Sequence, residues 1–323
     1  MRIISVSRRT DIPAHYGQWF ERRVEEGFAG WVNPLYGQKY IVSLKREDVA
    51  AFAFWSKNYL PFMPVLQSLR ALGYPAVFNI TVTGLPKALE SNVVPSADAV
   101  DNLVEISRLY SPEHINWRYD PVVVTSITPP EYHVERFTGL CGQLQGYVKR
   151  CYFSFPVGYG HGASNLKRFA CDQGVEVLEL LQPERVALAQ RLGEIAAAHG
   201  IEMFTCSGDY LVGGLIKKAG CIDGELISRF FYGGAWKATK KPTRKECGCT
   251  ASVDIGVADS CPHDCQYCYA RSSREAIRKN HTAHEPASAF LGYSKAEADE
   301  FIKEIETKKQ SKAGAKELAP GLE

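Results

Sequence analysis

Ser252-Val-Asp-Ile-Gly-Val257, followed by Cys261-Pro-His-Asp-Cys265-Gln-Tyr-Cys268-Tyr-Ala270, is the stretch on which the reading of this chain turns. The first run is short, β-branched and bounded by turn formers, as a buried strand is; Ser272–Lys279 has the composition of a helix. Three thiols lie on the loop between them. Working outward, the same alternation recurs towards the N-terminus. Strands are expected at Arg2–Ser7, Phe28–Asn33, Ala51–Ser56, Pro75–Val82, Ile115–Val124, Lys149–Phe155 and Ile201–Cys206, with Ser252–Val257 as the eighth. Segments of helical period separate them. Met63, Leu66 and Leu69 share a face before Gly73, Ser96 starts a helix carrying Val100, Leu103 and Val104, and Pro183–His199 is closed by Gly200. Thr128-Pro-Pro-Glu131 and Ser294-Lys-Ala-Glu297 read as capping boxes. Such alternation argues for an α/β fold around a mainly parallel sheet, a TIM-like (β/α)8 barrel, with an open doubly wound sheet as the alternative.

The 323 residues suffice for one large domain. Residues 1–290 are expected to form it, including the cysteine-rich segment 245–280. A helix over 291–307 and an unstructured tail over 308–323 follow. Hydrophobic residues at 45% and charged residues at 23% are those of a globular protein. No apolar run approaches the ~18 residues that span a bilayer, and the first residues turn polar too soon for a secretory signal. A cytoplasmic location is therefore expected. The formal charge of +2 gives no bulk argument for nucleic acid or membrane as a partner.

Half of the ten cysteines fall between Cys247 and Cys268. In a reducing compartment such clustering points to a metal site rather than to disulfides. Cys261, Cys265 and Cys268 can wrap three corners of a cubane iron–sulfur cluster, and the fourth iron then has no thiolate from this loop. The competing reading is a structural zinc site with a fourth ligand from His263, Cys247 or Cys249. Cys206, Cys221, Cys247 and Cys249 form a candidate second set of four ligands, for an auxiliary cluster. Cys141, Cys151 and Cys171 read as structural thiols.

The spacing C-x3-C-x2-C with an aromatic residue before the last cysteine resembles the signature of the radical S-adenosylmethionine (SAM) enzymes. In those enzymes the motif follows the first barrel strand, whereas here it ends the chain. Because the last strand of a closed barrel neighbours the first, moving the unit from front to back leaves its place in space unchanged. The resemblance implies that Cys261, Cys265 and Cys268 bind a [4Fe–4S] cluster, that SAM occupies the unique iron, and that Tyr267 lies near the adenine. It further implies reductive cleavage of SAM to a 5′-deoxyadenosyl radical that takes hydrogen from a substrate, small-molecule or nucleotide-like. The electron donor would be a protein such as flavodoxin or ferredoxin. The cysteine loop also looks like that of spore photoproduct lyase. Ser7-Arg-Arg-Thr-Asp-Ile-Pro13, Phe54-Trp-Ser-Lys-Asn58, Trp117-Arg-Tyr-Asp-Pro121 and the cysteine loop together resemble a bacterial domain-of-unknown-function family, from Ser7 to about Ala270.

Several expected strands end in polar or aromatic groups, which a barrel gathers at one mouth. Arg8, Arg9 and Asp11 could fix the carboxylate and amine of SAM or a substrate anion. Lys57 and Asn58 are similar candidates, and Arg118 and Asp120 could either bind or form a buried pair. Gly158-Tyr-Gly-His-Gly162 reads as a loop able to cover the site. Lys237, Lys240, Lys241, Arg244 and Lys245 form a basic run that could attract phosphate. The alternative function is a nucleic-acid-binding or repair-like protein in which the metal is structural.

Overall fold

The computed structural model describes residues 1–33, 36–156, 160–242 and 245–317. In chain order the elements are β1 (Arg2–Val6), α1 (Ile12–His15), α2 (Gly17–Glu26), β2 (Phe28–Val32), β3 (Lys39–Ser43), β4 (Val49–Ser56), α3 (Met63–Ala71), β5 (Ala76–Thr81), α4 (Ser96–Leu109) and β6 (Ile115–Arg118). There follow α5 (Pro130–Leu144), β7 (Arg150–Phe153), α6 (Gly162–Gln173), α7 (Gln182–Ala198), β8 (Glu202–Thr205), β9 (Ile216–Lys218), α8 (Gly224–Tyr232), β10 (Ser252–Asp254), α9 (Arg274–Ala283) and α10 (Lys295–Glu317). Eight strands make one sheet in the order β10-β1-β4-β5-β6-β7-β8-β9. Every pairing in it is parallel. The last strand lies beside the first, with Ile3 opposite Ser252 and Ser5 opposite Asp254.

A parallel sheet is covered on both faces, so its strands are nearly continuous apolar runs. β4, Val-Ala-Ala-Phe-Ala-Phe-Trp-Ser, is such a run and is buried except at Trp55. Phe52 and Phe54 project to one face, where their rings meet Phe20 at 5.2 and 5.6 Å, and Phe54 also meets Phe62 at 5.4 Å and Phe78 at 5.8 Å. Ala51 and Ala53 project to the other face and pack with Ile3, Val77, Ile222 and Ile227. The small alanines leave room there for the start of α8.

Two expectations about the strands need correction. Phe28–Asn33 does not join the main sheet: Phe28–Val32 pairs antiparallel with β3. A hairpin partner six residues away is reached without the crossover that parallel pairing demands. The hairpin is held from the side by Phe290, and Gly30 N–H donates to Ala289 O at 2.7 Å. The eighth place in the sheet belongs instead to β9, whose Ile-Lys-Lys is too short and too polar to read as a strand.

Helix ends follow local chemistry. Asp223 caps α8 through Leu226 N–H at 2.9 Å, and Ser273 caps α9 through Ala276 N–H at 3.0 Å. Ser294 and Glu297 form the expected box, with reciprocal bonds of 2.9 and 3.3 Å. Thr128 does not cap α5. Its hydroxyl donates to Val123 O at 2.7 Å within a turn, and α5 starts without a side-chain cap. α10 runs past Thr307 to Glu317, and residues 318–323 of the expected tail lie outside the described residues.

The aromatic stack on β4 gives a test of this packing. Phe54→Ala empties a fully buried site between three rings. It is expected to lower unfolding free energy by about 3–5 kcal/mol, measured by urea denaturation.

Candidate metal and cofactor site

The site starts from one carboxylate on β10. Asp254 is buried, and it accepts from Ser5 Oγ and Ser7 Oγ at 2.7 Å each, from Arg8 N–H at 2.8 Å and from Gly256 N–H at 3.1 Å. These bonds tie the end of β1 to the strand that feeds the cysteine loop. A side chain at Gly256 would collide with Ser7, so only glycine lets the two segments approach so closely. Arg8 Nε stands 3.5 Å and Arg9 Nη1 3.8 Å from the same carboxylate.

The cysteine loop is pinned from three sides. Gln266 N–H donates to Leu89 O at 2.9 Å, and Asn92 N–H to His263 O at 3.1 Å, so residues 89–92 form its floor. The buried Asn165 amide donates to Cys268 O and Arg271 O, both at 2.9 Å. Gly160 and Gly162 complete the clamp, since a Cβ at either would stand 2.7 Å from Tyr269 O or 2.8 Å from Tyr267 O. The described part of the glycine-rich segment thus packs on the loop backbone; Val157, Gly158 and Tyr159 lie outside the described residues.

So held, Cys261, Cys265 and Cys268 line one cavity, together with Arg9, His263 and Arg271. Burial pushes all three thiols above their usual range, so a metal would have to displace their protons. A second donor set overlaps the first. His15, Cys261 and His263 present ligand atoms all within 4.8 Å of one another, a group able to hold a metal ion. His263 Nε2 is fixed by Asp11 Oδ2 at 2.8 Å, and its ring meets His15 at 4.5 Å. Burial lowers His15 to about 4, which keeps it neutral and fit to ligate. His15 Nε2 is buried with no hydrogen-bond partner among the described residues.

The structure places the remaining expected residues as follows. Asp11 caps α1 through Ala14 N–H at 3.0 Å, accepts Lys57 N–H at 2.8 Å and holds His263. Burial would raise its carboxyl, but the bond to His263, together with the His263 and His15 rings and Ser56 beside it, holds it below its usual value. The Lys57 ammonium pairs with Glu90 at 2.9 Å. Burial would pull that ammonium down, yet Glu90 and Cys265 hold it above its usual value. Glu90 also accepts from Thr83 Oγ1 at 2.9 Å and from the Tyr267 hydroxyl, so Tyr267 is anchored with its ring 5.9 Å from Lys57 Nζ. Asn58 starts a local turn, accepting Leu60 N–H at 3.0 Å. Arg118 pairs with Asp120, which also accepts Ser154 Oγ at 2.5 Å, and its guanidinium lies 5.0 Å over the Trp55 ring. Cys206, Cys221 and Cys249 are buried together with Cys247 and Trp55 against them, in a separate cluster from the loop. In the basic run, Lys240 approaches Glu225 at 3.8 Å, while Arg244 lies outside the described residues.

Sequence reasoning missed Glu90, Asp254, His15 and Asn165. Asp254 sat inside a recognised strand and His15 next to a singled-out motif, so both had a positional signal. Glu90 and Asn165 had none.

The Lys57–Glu90 pair yields a prediction, because both side chains are largely buried and removal of one strands the other's charge. Glu90→Gln is expected to destabilise the chain by about 3–5 kcal/mol in urea titrations. Adding Lys57→Met should recover most of that loss, and additive losses would refute the assignment.

None of the curated proteins matches this chain. A family model described as a domain of unknown function matches residues 3–270, which takes in every element from β1 to the cysteine loop. The chain belongs to that family, DUF1848.

Proposed function

We propose that this protein is a radical SAM-type iron–sulfur enzyme whose cluster is held by Cys261, Cys265 and Cys268. The observation that carries the reading is that three thiols from one short loop, placed after a strand of the parallel sheet, face a single cavity with Arg9. The donor set suits iron–sulfur chemistry, and its count leaves one iron for another ligand. Reductive cleavage of SAM, followed by removal of hydrogen from a substrate, is the chemistry that cluster and cofactor supply together.

The chain's own residues have separable tasks in this reading. Arg9 Nη1 is a buried donor with no hydrogen-bond partner among the described residues, suited to a carboxylate of cofactor or substrate. Arg271 faces the same cavity and pairs with Asp264, adding positive charge beside a thiolate set whose net charge is negative. Tyr267, fixed by Glu90 and next in sequence to Cys268, is the aromatic side chain the reading sets near the adenine. Asp11 acts indirectly, by orienting His263 and the backbone of Lys57.

We further propose that the sheet closes into a barrel with its cluster unit permuted to the chain's end. The parallel β1–β10 ladder supports it, as does Thr250 N–H donating to Ile222 O at 3.0 Å between the segments next to β10 and β9. A second functional reading has an observation of its own. The His15–Cys261–His263 group suits a single thiophilic ion, which would make the site a zinc centre.

Metal analysis of oxygen-free protein separates the two. Iron and sulfide in comparable amounts, with a thiolate-to-iron absorption band, and SAM cleaved to 5′-deoxyadenosine by the reduced protein are expected. Cys268→Ser should abolish the cleavage, whereas His15→Ala should leave iron and sulfide in place. Zinc alone, lost in His15→Ala, would overturn the proposal.

A further inference from the structure

The main sheet has two free-ending strands, β9 and β10, and what joins them is not a ladder. Instead the chain leaving β9 lies along the chain entering β10. Thr250 N–H donates to Ile222 O at 3.0 Å, Gly224 N–H donates to Thr250 Oγ1 at 2.9 Å, and a Cβ on Gly220 would stand 2.6 Å from Gly248 O. Backbone approach of this kind needs glycine, and Glu246 adds to the seam by accepting from Gly208 N–H at 2.9 Å and Asp209 N–H at 3.0 Å.

Four cysteines converge on that seam. Cys206 follows β8, Cys221 follows β9, and Cys247 and Cys249 precede β10. Their thiols form a string in which Cys221 is hydrogen-bonded to both Cys206 and Cys249, and Cys249 to Cys247. Arg118 supplies a second observation. Its side chain is more than nine-tenths buried beside these thiols, hydrogen-bonded to Cys221 and stacked over Trp55, which packs on the same cluster. Its Nη1 has no hydrogen-bond partner among the described residues. Paired with Asp120 through Nη2, the side chain still has a buried donor to spare next to four thiols, which suits a site that becomes anionic when metal replaces their protons.

Consecutive members of the string touch. Four thiolates can close the coordination of an iron–sulfur cluster, and zinc at the same thiols is the outcome the test below excludes.

We infer that Cys206, Cys221, Cys247 and Cys249 hold a second iron–sulfur cluster, fully ligated by protein, that staples the two edges of the sheet together. Four thiolates close its coordination, so it binds no substrate. Because its ligands come from segments flanking three strands, its binding free energy is folding free energy for the seam. It stands independently of the reading given to Cys261, Cys265 and Cys268.

The test uses the full chain, reconstituted without oxygen with iron and sulfide. The Cys261→Ser/Cys265→Ser/Cys268→Ser variant is expected to keep about half of the wild-type iron and sulfide. The Cys206→Ser/Cys221→Ser and Cys247→Ser/Cys249→Ser variants should each lose about half, melt at lower temperature and be cut by protease between residues 206 and 250. A triple variant without iron, zinc bound in place of iron, or a metal-free disulfide among the four overturns the inference. Should the seam variants not fold, the iron content of the triple variant decides alone. Wild-type iron content in that same variant would instead count against the first cluster and leave the staple standing.

Discussion

The Asp254 carboxylate, buried where β10 meets β1, is the constraint on which the cysteine-loop end of the sheet is built. It accepts from two serine hydroxyls and a backbone N–H on the far side of the chain. Each such bond to a charged acceptor contributes about 1.5–3 kcal/mol net, and leaving any of them unmade inside the protein costs a comparable amount. The chain's last strand is therefore fixed in register against its first. From that register follow the place of the cysteine loop, the approach of Arg8 and Arg9 to it, and the meeting of Asp11 on α1 with His263 in the loop.

A second consequence concerns charge. The loop brings three thiols into partly buried surroundings, where their protonated forms are favoured. Lys57, Arg9 and Arg271 stand near, but Lys57 is answered by Glu90 and Arg271 by Asp264. Arg9 Nη1 is paired with Asp254 at 3.8 Å, though it makes no hydrogen bond among the described residues. Each local positive charge at the cavity is thus balanced by a carboxylate, which sets its orientation before anything binds.

Much of the architecture was legible because apolar runs and turn residues carry a period. β4 reads as a buried strand from Val49 to Ser56, and Gly200 closes α7 with a backbone φ of +70°. What escaped was set by tertiary contact rather than by local pattern. β9 contributes Ile-Lys-Lys to the sheet only because β8 and the seam hold it there. β2 has a strand sequence as good as its neighbours', yet the hairpin with β3 is reached sooner than any crossover. At the site, thiols announce themselves by spacing, whereas Glu90 and Asn165 matter through backbone and side chains remote in sequence. Glu90 meets Tyr267 across 177 residues, and no window of sequence spans that.

The separation of the cysteines into two groups has a structural logic. Three come from one contiguous loop, so their arrangement is local and survives as long as the loop is clamped by Asn165, Gly160 and Gly162. Four come from three separate segments, and their meeting depends on the whole sheet having formed. A local triad can leave a coordination position open, because loop geometry alone sets its shape. A dispersed tetrad has the opposite property: it gathers distant chain, which is what the proposed staple would use. Arg118 lies between these requirements, with its charge answered by Asp120 and its stack on Trp55 joining the sheet's inner face to the tetrad. On the two proposals above, the fold divides its thiols by sequence distance, with the near ones used for chemistry and the far ones as a staple.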